Sequence, residues 1–496
     1  MKNKKYIKKS INELDCNKNN MDFNQDNSYS GAMELINNFS NISVFLAYNA
    51  NVDAIKFFND GKEVEELINQ FGIEEIIETM EKYPRKIKSP VDFIARLIHC
   101  MENGKPAEIP IVEDESLNNW FNRIKYDEER IGGQVGIISN LLSLLNLKRI
   151  IAYTPLLSKK QSEMFNDSDN LLYPVVIDGK LFLKKPKEAY REEDPLKINR
   201  IFEYRENLEF YLGEKKIITP HANRLIVASR PDKLRIEIGE DLKKKLPEIG
   251  EIVDCAILSG YQGIKERYSD GKDDHYYIER AREDISLLKR NKDIKIHLEF
   301  ASIQSKRLRK MIVDNIIPKV DSLGMDETEI ANVINVMGYE DLSNIILKNS
   351  RIEDVLYASK ILLEDYNNLE IVQVHTLYYI MCLCRRDNLL SEGELEKTLD
   401  LATILAGTKA KLGKISTIED LKEGAKIPYN EHEGFFKKVI KDLRENPGYR
   451  DYKIALVPSR LVKSPKSTVG LGDTISSGAF IGYVSMLRDK IKIRNN

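Results

Sequence analysis

No run in this chain is long and apolar enough to read as a membrane-spanning helix. The N-terminal stretch MKNKKYIKKSINEL is basic but lacks an apolar core, so it does not read as a secretory signal. Neither charge is in excess: 76 Lys and Arg stand against 78 Asp and Glu, a formal net charge of −2. That balance excludes a bulk electrostatic attraction to nucleic acid or to an anionic membrane. Cysteine is scarce, and Cys16, Cys100, Cys255, Cys382 and Cys384 lack the paired spacing of a zinc site. Cys382 and Cys384 fall in an apolar run that reads as helical, so buried free thiols in a reducing cytoplasm are expected. There is no internal repeat. There is also no P-loop, because GTKAKLGK does not have the G-x-x-x-x-G-K-S/T spacing.

What is present is a chain of 496 residues, 42% hydrophobic, enough for a large core and more than one domain. Short apolar runs alternate with longer amphipathic ones, the pattern of an α/β fold. Strands are expected at 42–48, 149–153, 217–219, 225–228, 255–258, 295–299, 322–325, 370–374 and 453–457. Helices are expected at 137–145, 275–290, 303–317, 327–336, 351–366, 376–385, 391–406 and 474–487. Two stretches break the rhythm. Residues 56–113 are dense in charge, and 167–216 alternate like β-hairpins around Asp178-Gly179 and Glu206-Asn207. The expected organisation is a flexible N-terminal extension over 1–30, a large α/β domain from 31–55, 114–166 and 217–496, and a small domain from 56–113 and 167–216.

The most informative segment lies near the C-terminus. An apolar strand, YKIALV, is followed by a loop and then by STVGLGDT at 467–474 and a small-residue helix. Glycines let backbone amides approach an anion, and a helix start adds free N–H groups and the positive dipole end. Such a cradle suits phosphoryl oxygens, although Asp before a helix is ordinarily only an N-cap. The longer run STVGLGDTISSGAF resembles the C-terminal signature of the ribokinase-like superfamily, closest to the archaeal-type ADP-dependent sugar kinases. The resemblance extends over roughly 42–487. It implies a ribokinase-like large domain, with a central mostly parallel sheet flanked by helices, under a smaller discontinuous α+β lid. It also implies that Asp473 is the catalytic base and that Gly470, Leu471, Gly472 and Asp473 supply the anion hole, Gly472 also meeting the nucleotide.

Other segments carry the same resemblance. Asn49, Asn51 and Asp53 alternate along an extended run, YNANVD, so their side chains project together. A polar turn would use the same residues, but the run resembles the family's sugar site. Gly132, Gly133 and Gln134, in RIGGQVG before an apolar helix, could be a plain loop-to-helix junction. They resemble the segment beside the sugar. His297 and Glu299 share a strand face, and Asp326 and Glu329, in DETE, stand where acidic residues ordinarily stabilise a helix start. The resemblance makes Glu299 and Glu329, with Asp326 and Asp473, candidates to position Mg²⁺ near the phosphates, with His297 a weaker choice. Asp326 replaces the Asn of many superfamily members. Arg224 and Arg230 bracket a strand in NRLIVASRPD, and Lys197 lies in DPLKINRIFEY. Cations at strand ends are usually solvated, but arginine forks match phosphate oxygens, and the resemblance sets all three against a sugar 6-phosphate or the nucleotide. His375 in VQVHTLYY reads as a core histidine, and the resemblance moves it toward the nucleoside.

The implied activity is an ADP-dependent 6-phosphofructokinase, a kinase of a modified glycolysis. An ADP-dependent glucokinase or a bifunctional enzyme is the alternative within the class, decided near residues 89–96 and Lys197. A non-catalytic sugar- or nucleotide-binding regulator is the alternative outside it. ADP and a sugar or sugar phosphate are the expected partners of a cytoplasmic monomer, with neither nucleic acid nor membrane.

Overall fold

The structure, a computed structural model, describes residues 25–112, 114–430 and 432–495. The strands of the first half are β1 (Ser43–Ala47), β2 (Asn51–Phe58), β3 (Ala107–Pro110), β4 (Glu128–Gly132), β5 (Arg149–Ala152), β6 (Leu171–Ile177) and β7 (Lys180–Lys184). Then come β8 (Ile198–Tyr204), β9 (Glu209–Leu212), β10 (Lys215–Ile218), β11 (Asn223–Ala228) and β12 (Cys255–Leu258). The last are β13 (Lys295–Glu299), β14 (Ser322–Asp326), β15 (Ile371–His375), β16 (Tyr379–Arg385) and β17 (Tyr452–Pro458). Six helices bear on the argument: α1 (Gln25–Asn37), α2 (Pro90–Asn103), α3 (Gly133–Leu144), α4 (Glu327–Val336), α5 (Glu392–Leu412) and α6 (Leu471–Asn495).

Ten strands form one sheet in the order β17-β16-β15-β14-β13-β12-β1-β5-β6-β7. The seven from β15 to β6 run parallel, and antiparallel strands close both edges. Sequence dictates this. β12 (CAIL) is apolar throughout, β1 (SVFLA) is apolar after Ser43, and both are buried at every position, the mark of strands covered on both faces by helices. The expected α/β architecture is therefore found. A five-stranded sheet, β3-β11-β8-β2-β4, and the two-stranded β9-β10 make the smaller unit. It has a core of its own, in which Phe93 lies 4.5 Å from Phe202 and 5.1 Å from Phe121 between ring centroids. Such aromatic clusters stabilise beyond the area they bury.

Several expectations need correction. The helix expected at 376–385 is β16. Its run is apolar on both faces, so it shows no strand alternation, and antiparallel pairing with β15 and β17 decides its conformation. Cys382 and Cys384 thus lie on a strand. With Cys100 and Cys255 they are buried free thiols, while Cys16 lies outside the described residues. The hairpin around Asp178-Gly179 is β6-β7 and joins the large sheet, because β6 pairs with β5. Conversely β2, β4 and β11, which fall mostly in segments assigned to the large domain, belong to the small sheet. Residues 25–30 are not a flexible connector: they begin α1, where Arg460 Nη2 donates to Ser28 Oγ at 3.1 Å and Tyr29 packs on the main core. The remainder of the extension, 1–24, lies outside the described residues. Among the described residues no helix is long and apolar enough to cross a membrane.

Candidate active site

The chain leaves β1 at Ala47 and enters the small sheet at Asn51, so residues 48–50 bridge the two sheets. Asn49 Nδ2 donates to Gln134 Oε1 at 2.7 Å, and Lys197 Nζ donates to Asn49 Oδ1. Asn51 Nδ2 donates to Asp53 Oδ1 at 2.6 Å. Strand pairing sets Asn51 opposite Gly132 and Asp53 opposite Arg130. Gly132 has to be glycine, since a Cβ would stand 2.3 Å from the Asp53 carboxylate. Gly133, at φ +73°, passes just as close to Asn49 and Asn51. Asn49, Asn51, Asp53, Gly132, Gly133, Gln134 and Lys197 therefore form one cluster, as expected. Burial raises the Asp53 carboxyl to about 6 against the pull of Arg130, Asn51, Lys409 and Lys197. Burial, and then the Arg230 charge, lower Lys197 to about 8.

The second half of the site lies at the C-terminal ends of the parallel strands, where open α/β sheets bind ligands. After β17 the chain turns at Gly470 (φ +69°) into α6, which begins at Leu471. Asp473 is thus inside the first helical turn and not the residue that caps it. The Gly470 carbonyl accepts from Thr474 N at 3.2 Å, Thr474 Oγ1 at 2.8 Å and Lys409 Nζ at 3.0 Å. Burial raises Asp473 to about 6, and the Lys409 charge works against that rise. His375, at the end of β15, sits against the loop: a Cβ on Gly472 would come 2.9 Å from its Nε2. Burial keeps that imidazole neutral against the nearby Asp326.

Behind the loop stand Glu299 on β13 and the β14–α4 junction. Glu299 is buried, and its carboxyl is pushed far up by burial and then by Asp473, with Glu329 and Asp326 adding to the effect. His297 is fully buried and stacked on Phe480. It lies 2.7 Å from Ser322 Oγ, 3.1 Å from Glu299 Oε2 and 2.9 Å from Ser476 Oγ. Burial drops its pKa to about 3, so it is a neutral positioning group and not a charged partner. Gly324 makes room for this cluster, since a Cβ there would overlap Ser476, Glu299 and His297. Asp326 caps α4 and Glu329 closes the capping box: Asp326 Oδ1 accepts from Glu329 N at 2.7 Å, and Glu329 Oε2 from Asp326 N at 2.9 Å. Glu329 serves the helix while within electrostatic reach of Asp473.

The arginines divide. Arg224 on β11 donates to Thr468 Oγ1 at 3.0 Å, in the loop that leads to Gly470. Arg230, just past β11, is 3.5 Å from Glu108 and acts electrostatically on Lys197. In 89–96, where sugar discrimination was expected, Ser89 caps α2 in a capping box with Asp92, and Arg96 lies over the Tyr83 ring at 3.6 Å. Two site residues were not singled out from sequence. Arg130 donates to Ser467 Oγ at 3.1 Å. Lys409, near the end of α5, meets the loop directly. A cleft of about 390 Å³ opens beside them, lined by Arg130, Ile137, Lys409, Val469 and Thr474.

The conserved region of ADP-specific phosphofructokinases and glucokinases matches residues 42–482, across both halves of this site. The chain belongs to that family. It is 54% identical over 460 residues to the ADP-specific phosphofructokinase of Thermococcus litoralis, covering 92% of this chain and 100% of the relative. A solved structure from Pyrococcus horikoshii OT3, described as a hypothetical ADP-dependent phosphofructokinase, superposes with a TM-score of 0.83 at 48% identity, covering 91% of this chain and 99% of that one. Another, described as an ADP-dependent kinase complex with fructose-6-phosphate and ADPbetaS, gives 0.79 at 39% identity, covering 94% and 100%.

Kinases of this family work on phosphate oxygens, where a divalent cation is expected, and the residues here fit one. Glu299, Asp326, Glu329 and Asp473 are all hard oxygen donors; burial and then Asp473, Glu329 and Asp326 push the Glu299 carboxyl up, and burial and then Asp326, Asp473 and Glu327 push up that of Glu329. Among the described residues no three such side chains converge tightly enough to hold an ion alone.

Proposed function

We propose that this chain is an ADP-dependent 6-phosphofructokinase, transferring the β-phosphoryl group of ADP to the C1 hydroxyl of fructose 6-phosphate to give AMP and fructose 1,6-bisphosphate. The observation that carries the reading is the position of Asp473. A carboxylate raised to about 6 sits in the first turn of α6, beside the free N–H groups of a helix start that follows a glycine turn. A base near neutral pKa and an amide cradle are the two parts that phosphoryl transfer to a hydroxyl requires.

In this reading Asn49, Asn51, Asp53 and Gln134 hold the sugar hydroxyls, with the Gly132–Gly133 backbone against the ring. Lys197, Arg224 and Arg230 take the 6-phosphate, Arg230 reaching toward the nucleotide phosphates as well. Asp473 accepts the C1 hydroxyl proton while the amides of Gly470, Leu471, Gly472 and Asp473 stabilise the transferring oxygens. His375 and Gly472 face the nucleotide. Glu299, Glu329 and Asp326, near Asp473, would hold Mg²⁺, which when bound would supply charge compensation to the phosphates. The small sheet acts as a lid that excludes water, the competing acceptor.

The enzyme is proposed to act as a monomer. The buried free thiols suit a reducing cytoplasm. A glucose activity of the same site is the second reading, because Asn49 to Asp53 would serve either sugar and only the cations distinguish the phosphate. The test is conversion of ADP to AMP with fructose 6-phosphate, with glucose and with no sugar. Turnover with fructose 6-phosphate supports the first reading, and turnover with glucose alone replaces it with the second. No turnover with either, while ADP still binds, makes the chain a binding protein.

A further inference from the structure

We propose that Lys409 is a positioning residue of phosphoryl transfer, fixing the direction in which the loop presents its first amide. The inference rests on the kinase reading above for its chemistry and on geometry for its mechanism.

Lys409 is an ordinary-looking lysine in the last turn of α5, a helix packed along α6. Its ammonium does not end in solvent. It donates to the Gly470 carbonyl at 3.0 Å and approaches Thr474 Oγ1 at 3.3 Å. That carbonyl also accepts from the amide and the hydroxyl of Thr474, so three donors converge on one oxygen. The peptide joining Gly470 to Leu471 is planar and trans, which points its C=O and N–H in opposite directions. Holding the carbonyl toward α5 therefore turns the Leu471 N–H away from α5, to the face where the anion is received. Gly470 is the residue that permits this, since its φ is +69° and a Cβ would come 2.9 Å from Lys409 Nζ.

The ammonium is also within electrostatic reach of two carboxylates of the site, Asp473 and Asp53, with Arg130 of β4 the further cation in its field. Arginine cannot be assigned the same task from its own position, because Arg130 reaches Ser467 and Arg224 reaches Thr468, ahead of the turn. A lysine used only to pack α5 against α6 would not need its charge buried at a glycine carbonyl.

The experiment compares Lys409→Met and Lys409→Arg with the full-length wild type. For Lys409→Met, kcat is expected to fall by roughly ten- to a hundred-fold, short of the loss from deleting an oxyanion donor outright. The KM values for ADP and fructose 6-phosphate are expected to stay within about three-fold, because the misaligned amide matters most in the transition state. Lys409→Arg is expected to recover most of the loss. Hydrogen exchange of the 467–478 segment is expected to quicken in Lys409→Met and not in Lys409→Arg. A Lys409→Met enzyme with wild-type kcat, or one whose only change is a lower Tm at unchanged kcat per folded molecule, overturns the inference. If the wild type turns over neither sugar, the kinase reading fails separately. Exchange then decides for Lys409: a quickened loop keeps the positioning role, and an unchanged loop removes it.

Discussion

Asp53 and Glu299 are buried carboxylates of one site, and their surroundings are opposite. Around Asp53 stand Arg130, Lys409 and Lys197, with an amide hydrogen bond from Asn51. Around Glu299 stand Asp473, Glu329 and Asp326, with only the neutral His297 and a serine hydroxyl to bond to it. The sugar half is compensated before any ligand arrives, and its donors and acceptors are already paired with one another. Around Glu299, in the half proposed to receive the phosphoryl group, the neighbours are carboxylates, and a metal-bound nucleotide would bring the missing positive charge. Buried like charges are tolerated where something must be recruited. The contrast therefore separates a half that recognises from a half that reacts.

The largest effect expected from breaking this contrast is at Asp473. Asp473→Asn leaves binding of ADP and fructose 6-phosphate intact by calorimetry and lowers kcat by roughly 10²- to 10⁴-fold, the usual worth of a general base. Turnover near wild type in the folded variant would take the base role from Asp473.

Next comes the recognising half. Lys197→Ala is expected to lower kcat/KM for fructose 6-phosphate by roughly ten- to a hundred-fold, the value of one charge-assisted phosphate contact. Glucose, if turned over, should lose much less. Equal losses for both sugars would place Lys197 on a group they share.

On the reacting side, Glu329→Gln is a clean substitution because glutamine can close the same capping box. Removing the charge is expected to raise the Mg²⁺ concentration at half-maximal activity by roughly ten-fold, in the range for outer-sphere metal partners. An unchanged midpoint would leave Glu329 as a helix cap and nothing more.

The smallest effect is in pH. A base must be deprotonated, so activity is lost as pH falls through the pKa of Asp473. With that pKa raised to about 6 by burial, the acid limb of kcat/KM is expected near 6, falling tenfold per unit below it. An ordinary exposed aspartate would titrate at about 4. An acid limb near 4 would show that Asp473 is less buried in solution than in this structure.

The large sheet was legible because its strands are short, apolar and separated by helices of the right length, so that 255–258, 295–299 and 322–325 could be read locally. Partner choice was not legible. Nothing in LLYPVVIDGKLFLKK says that its first strand pairs with β5, and nothing in TLYYIMCLC distinguishes a doubly covered antiparallel strand from a buried helix. Among site residues, those in loops with glycines and amides were marked by composition. Asn49, Gln134 and the loop before α6 are brought together as the motifs suggested. Lys409 carries no such mark: the chain holds 76 Lys and Arg, and a lysine in a last helical turn is what the helix dipole alone would favour. Its role becomes visible only when α5 is laid beside α6.

The chain passes between the two sheets four times: from β1 to β2, from β4 to α3, from β7 to β8, and after β11 on the way to β12. Asn49, Gly133, Lys197 and Arg230 stand on these four connections, one on each. The connections between the two sheets thus carry the residues proposed to grip the substrate. A tilt of one sheet against the other twists the backbone where the sugar is held, and an occupied pocket stiffens the pivots. Swapping such a residue to accept another sugar also alters how fast the jaws open. Evolved or engineered changes of specificity at these positions should therefore appear in product release as much as in affinity.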